Sequence, residues 1–219
     1  MAYLSIYKKS DFRQLTWGEY EKLLDSVVRQ IRAYTKRKKI RIDAVVPIMR
    51  GGLFPGGYIT FKLDMLRVLP VQYKYFFVGR DVVLKKIFGF PKAEIAKPNP
   101  VFLLVENNHC FGVTAATAAK DLKKMFPRCR IIYATDTMDY SYRNAVKDAE
   151  ISFHGLYTND TKTMNQQQCR ASKVQNWTNL FPWESFGEEW QTVNAKQYKY
   201  SDLNAKFPHS KTMKKIRLW

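Results

Sequence analysis

Residues 101–122, VFLLVENNHCFGVTAATAAKDL, constrain this chain more than any other stretch. An unbroken apolar run, Val101–Val105, stops at one acid, Glu106. A short polar loop then leads to Gly112-Val113-Thr114 and an alanine-rich segment. Strands buried on both faces of a parallel sheet carry such unbroken runs. The alanines predict a helix from near Thr114. The loop between them then sits at the carboxyl end of a parallel strand, where open α/β sheets bind ligands. Free amides at a helix start suit a phosphate. Gly112 lets the backbone approach an anion, and Thr114 offers a hydroxyl or a helix cap.

A second stretch has the same logic. In RIDAVVPIMRGGLFPGGYITFKL, residues 41–63, a strand over Ala44–Ile48 runs into Arg50-Gly51-Gly52. Pro55-Gly56-Gly57 follow, inside a helix expected over Leu53–Leu63. Two glycines behind an arginine permit a tight turn whose amides point at an anion. An ordinary strand–turn–helix connection would also explain it.

The two stretches, in this order, resemble type I phosphoribosyltransferases. The family's phosphoribosyl-diphosphate (PRPP) motif has two acids after the strand, then an Asp, a Thr-Gly and a final Thr. Here Glu106, Gly112 and Thr114 keep the pattern. Asn107 replaces the second acid, Cys110 the usual catalytic-base Asp, and Phe111 the first Thr. Arg50-Gly51-Gly52 resembles the family's pyrophosphate loop, with Met49 where Ser is common. The spacing of RGGLFPG and the segment Phe181-Pro182-Trp183-Glu184 are similar to the xanthine-guanine (6-oxopurine) branch.

The resemblance implies a fold and a set of roles. The fold is α/β: an open, mainly parallel twisted sheet flanked by helices, with a hood or lid and a basic C-terminal extension. Residues 1–190 would form the domain, with a hood at 79–100 and a lid at 159–190, and 191–219 the extension. The activity implied is transfer of a phosphoribosyl group from PRPP to a purine-type base. Arg50, Gly51, Gly52, Asn107, Phe111, Gly112, Val113 and Thr114 would bind PRPP. Glu106 would face the ribose hydroxyls and Mg2+. Cys110 stands at the catalytic position, and His109 is an alternative base because its intrinsic pKa suits that work. Trp183 and Glu184 would meet the purine, with Thr137 where a lysine contacts its O6. Arg80, Lys85 and Lys86 in the hood would neutralise pyrophosphate. The bland readings are a backbone-bound loop histidine, a core or lid tryptophan and routine hairpin lysines.

Composition adds a second possibility. The net charge is +18 in 219 residues. Lys36-Arg37-Lys38-Lys39-Ile40-Arg41 is one basic run, and the sequence after Trp190 is another, with Tyr198, Tyr200, Phe207 and Trp219 interleaved. Such an excess attracts polyanions, and aromatics among cations suit single-stranded nucleic acid. A solvated basic surface is the plainer account. The 46% apolar content supports a sizeable core, without any run long enough to span a membrane. The start, MAYLSIYKKSDFRQ, lacks a signal-peptide pattern. Cys110, Cys129 and Cys169 form no metal or disulfide pattern, so a reducing, cytoplasmic setting is expected. A homodimer is compatible with all of this.

Elsewhere, Trp17–Thr35 has helical spacing, with Thr16 and Glu19 placed for a capping box. Residues 1–15 read as an arm or edge strand, Val68–Phe77 as strand-rich, and Thr114–Met125 as a helix. Strands are expected over Arg130–Thr135 and Ile151–Tyr157, and Asn159–Asn176 reads as a polar surface insertion. Three functions compete: an active phosphoribosyltransferase, a relative that has lost transfer and binds nucleic acid or a protein, and a transferase acting on a base within a polynucleotide.

Overall fold

The computed structural model describes residues 9–78, 81–90, 95 and 97–187. Arg80, residues 91–94 and 96 of the expected hood, and residues 188–219 with the basic extension lie outside the described residues.

Strand β1 (Phe12–Gln14) leads into helix α1 (Trp17–Lys38). The capping box forms as the sequence predicts: Thr16 Oγ1 accepts from the Glu19 amide, and Glu19 accepts from the Thr16 amide. The helix runs one turn further than its apolar stripe. Lys36, Arg37 and Lys38 complement its C-terminal dipole, and Lys39 closes it in the left-handed region.

The remaining elements are β2 (Ala44–Met49), α2 (Leu53–Lys62), β3 (Val71–Val78), β4 (Asp81–Phe88), β5 (Val101–Glu106) and α3 (Val113–Met125). They are followed by β6 (Arg130–Asp139), β7 (Ile151–Thr158), α4 (Gln166–Ala171) and β8 (Thr178–Leu180). Six strands form one sheet in the order β4-β3-β2-β5-β6-β7. All neighbours are parallel except β3 and β4, the hairpin that carries the described part of the hood. Strand β1 pairs in parallel with β8 as a separate small sheet.

The central strand divides the core by its period of two. Val101, Leu103 and Val105 pack with Val27, Val28 and Ile31 of α1 and Ile59 of α2. Phe102 and Leu104 pack with Ala115, Ala118, Ala119 and Leu122 of α3 on the other face. Burial on both faces explains why β5 reads as a continuous apolar run.

Two expectations are corrected. Strand β6 does not stop at Thr135. Beyond the end of β5, the backbone of His109 takes over as its ladder partner: His109 N donates to Thr137 O, and Asp139 N donates to His109 O. The stretch 159–176 is exposed over much of its length, including Gln166–Gln168, but it does not start at the surface. Thr158, Asn159, Asp160 and Thr161 are buried, and Asp139 accepts from both the amide and the hydroxyl of Thr161. At Asn159–Thr161 polar composition reflects hydrogen bonding in the interior rather than exposure.

Candidate active site

The site is built at the carboxyl ends of β2, β5 and β6. After β2 the chain turns through Arg50-Gly51-Gly52, with a cis peptide between Met49 and Arg50. The glycines are needed for space. A Cβ on Gly52 would lie 2.6 Å from Val105 O, and one on Gly51 would lie 3.2 Å from Asn107 Cβ. The two sequence motifs therefore touch. Arg50 is exposed at the lip of this junction.

The second loop is held from below by a buried carboxylate. Asp136 accepts from the Asn107 side chain (2.8 Å), the Asn108 amide (2.8 Å), the Thr137 amide (2.7 Å) and the Tyr20 hydroxyl (2.9 Å). Burial raises its pKa, and these four donors oppose the shift. Thr137 is itself buried, and its hydroxyl meets Asn108 Oδ1 at 3.2 Å. It supports the loop rather than facing a ligand.

His109 is not placed to act as a base. Its ring is 1% exposed and both nitrogens are engaged. Nε2 meets the Tyr142 carbonyl at 3.0 Å, and Nδ1 meets the Tyr133 hydroxyl at 2.9 Å. Desolvation pushes its pKa down to about 4. A carbonyl can only accept, so Nε2 carries the proton and a neutral ring leaves Nδ1 as an acceptor.

That tautomer bears on Glu106, whose Oε2 lies 3.2 Å from the same Tyr133 hydroxyl. One phenolic proton can serve Nδ1 or Oε2, not both. Glu106 keeps part of its surface open, yet its carboxyl is ringed by protein. Desolvation pushes its pKa up to about 8, against the Tyr133 hydrogen bond and with help from the Asp136 charge. At neutral pH Glu106 keeps its own proton, the phenolic proton goes to Nδ1, and all three groups are satisfied. Ionisation of Glu106 draws the phenolic proton to Oε2 and strips Nδ1 of its donor.

Gly112, with φ of 69°, forms the N-cap of α3, and the helix begins at Val113. Thr114 therefore does not cap it. The hydroxyl of Thr114 instead bonds Tyr75 on β3, whose own pKa burial raises to about 12. The first amides of α3, at Val113, Thr114 and Ala115, have no intrahelical partner by geometry. Phe111 leans edge-on against Tyr142 at 4.9 Å, and Cys110 is half-buried.

Trp183 lies on the other side of Tyr20. Its ring is nearly parallel to Phe54 (4.2 Å) and Phe181 (5.2 Å) and edge-on to Tyr20 (5.1 Å). Phe181 is buried with Leu15, Leu23 and Leu24, so this segment is seated on α1. Glu184 caps its own turn by accepting from the Phe181 amide at 2.8 Å. In the hood, Lys86 is tied to Asp121 of α3 at 2.7 Å, while Lys85 is exposed.

The donor set does not fit a magnesium ion held by the protein itself. Asp136 is already filled by four donors, and Asn107 is neutral and its amide points at Asp136. Among the described residues no group of three His, Cys, Asp or Glu side chains could hold a metal.

Sequence reading located both loops but missed Tyr20, Tyr133 and Asp136. Each carries a signal: Tyr20 stands in a mostly aliphatic helical stripe, and Tyr133 and Asp136 lie inside an otherwise largely apolar strand. No helix among the described residues is long and apolar enough to cross a membrane.

No protein-family model matches this sequence, and no curated protein matches it either. Solved structures do. A purine phosphoribosyltransferase from Pyrococcus horikoshii Ot3 superimposes with a TM-score of 0.56 at 17% identity, over 80% of this chain and 95% of that one. A Helicobacter pylori xanthine-guanine-hypoxanthine phosphoribosyltransferase gives 0.55 at 14% identity, over 83% and 99%. A hypothetical protein from Neisseria gonorrhoeae with bound ppGpp gives 0.59 at 17%, over 84% and 97%. The chain is an α/β protein with the type I phosphoribosyltransferase fold. Two of these three neighbours are purine phosphoribosyltransferases by name.

Proposed function

We propose that this protein transfers a phosphoribosyl group from PRPP to a purine-type base, releasing pyrophosphate. The observation that carries this reading is the contact between Gly51 and Asn107, which joins two anion-suited loops at the carboxyl ends of the two central strands. Amides at the start of α3 would hold the 5-phosphate, and the Arg50–Gly52 turn the pyrophosphate with whatever Mg2+ the substrate brings. Glu106 and Asn107 would face the ribose hydroxyls. As a neutral acid, Glu106 can donate a hydrogen bond as well as accept one.

In the reaction a base nitrogen forms the bond to ribose C1 while the bond from C1 to the pyrophosphate oxygen breaks. Pyrophosphate leaves with the electron pair. The nitrogen's proton is released to solvent, because Cys110 offers no carboxylate to take it. Catalysis then rests on positioning and on stabilising the charge that develops on the leaving group. Trp183 would stack on the base once Phe54 gives way.

A second reading, a protein that keeps the fold without the transfer, is favoured by Asn107. Its amide is spent on Asp136 rather than offered to a ligand. Calorimetric titration of nucleic-acid-free protein with PRPP and Mg2+, followed by transfer assays on a panel of purine bases, separates the two. Saturable binding and product formation support transfer. A folded protein that binds no PRPP sinks it.

A further inference from the structure

We infer that single-stranded nucleic acid binds this protein in a cleft at the far end of the sheet from the phosphoribosyl site. The cleft has a volume of about 740 Å3. It is lined by Ile31, Arg32 and Thr35 near the end of α1, by residues 40–43 ahead of β2 and by residues 62–67 at the end of α2 and beyond it. Strand β2 enters the sheet here and leaves it at Arg50, so the two sites lie at opposite ends of one strand.

The cations around this cleft fall into two groups. Lys36, Arg37 and Lys38 belong to the last turn of α1, where they offset its dipole. Lys62 is held by Asp25 at 3.4 Å, and Arg32 donates to the Lys62 carbonyl. These have structural work to do. Arg41 and Arg67 do not. Both line the cleft, both are exposed, neither belongs to a helix, and no ion pair among the described residues includes either.

The acids facing the same space are Asp43 and Asp64. Asp43 is neutralised by Lys97 at 3.0 Å and accepts from the Val101 amide at 2.7 Å. Asp64 alone opposes an anion. The field in the cleft is therefore positive, and it is concave, which focuses it.

The apolar lining decides the kind of anion. Ile40 and Met65 are half-buried among the cations, and Leu66 is 97% exposed beside Arg67. A compact phosphate has no use for such surface. A single strand does: its phosphates pair with arginines, its unstacked bases can stack on their guanidinium planes, and the base faces cover the apolar side chains beside them. With no aromatic ring in the lining, most of the affinity comes from charge, so it falls steeply with salt.

The test is fluorescence anisotropy of a labelled oligouridylate with the full chain, between about 50 and 200 mM salt. The charge-reversed pair Arg41→Glu and Arg67→Glu should weaken binding at least about tenfold. The neutral pair Arg41→Gln and Arg67→Gln should flatten the slope of log K against log salt by about 1.4, at roughly 0.7 per lost single-strand contact. Calorimetry with PRPP on the same variants keeps this result separate from the proposed transfer. Undiminished oligonucleotide binding by both variants overturns the inference, as does binding lost only on removing residues 188–219. It is also overturned if the protein ignores the oligonucleotide yet binds phosphatidylcholine vesicles containing phosphatidylserine.

Discussion

Gly112 lies directly on the imidazole of His109: a Cβ at position 112 would fall 2.6 Å from Nε2 and 2.7 Å from the Ala145 methyl. The glycine is fixed twice, by this contact and by its φ of 69°. Gly112→Ala should therefore cost about 2–4 kcal/mol, from left-handed strain plus overpacking. Chemical denaturation measures the loss. PRPP binding should disappear with it, because the start of α3 must shift.

Tyr20→Phe removes one of the four donors to Asp136 while keeping the ring that packs on Phe181 and Trp183. Losing a buried hydrogen bond to a charged group costs about 1.5–3 kcal/mol. Urea unfolding should register that cost. A change below about 0.5 kcal/mol would mean that Asp136 is protonated and needs no such support.

Glu106 makes stability depend on pH. Its folded pKa, about 8, lies above the ordinary 4.5, so the folded state holds a proton that the unfolded chain has released between those values. Stability then falls as pH rises from about 4.5 to about 8. Tyr133, Asp136, Tyr75 and His109 are the titratable groups around it. Glu106→Gln removes the ionisation, so the variant should gain about 1–3 kcal/mol on wild type at pH 8.5 and little at pH 5. A gap that does not change with pH refutes the raised pKa. Under the proposed function, transfer should also fall strongly in the same variant.

Cys110→Asp restores a carboxylate at the position where the family resemblance implies a base. Under the proposed function it should raise the transfer rate, read as pyrophosphate release at saturating PRPP. If Glu106→Gln and Cys110→Asp both leave the rate unchanged, the loop does not carry the chemistry.

Much of this molecule was legible in its sequence. Val101–Val105 could only be a doubly buried strand, and the Thr16–Glu19 spacing gave the start of α1 to the residue. The two glycine loops were legible as anion-suited turns because glycine identity reports local backbone needs. What could not be read was long-range. Nothing near Asp136 in sequence indicates that Tyr20, 116 residues earlier, will donate to it. Thr135–Asp139 looked like the end of a strand because its new ladder partner, His109, comes from a loop. His109 looked like a candidate base until its two partners, Tyr133 and Tyr142, were in place.

The pairing of Phe12–Gln14 with Thr178–Leu180 has a consequence for how the protein is made. The ribosome delivers β1 first and must then produce some 166 residues before Gln14 meets Leu180. Trp183 arrives later still, and Tyr20 waits for it. During synthesis the two-loop half of the site can assemble while its aromatic wall is missing. A stalled nascent chain ending just after β7 would thus present the loops without the wall, a state that ribosome-bound crosslinking could capture.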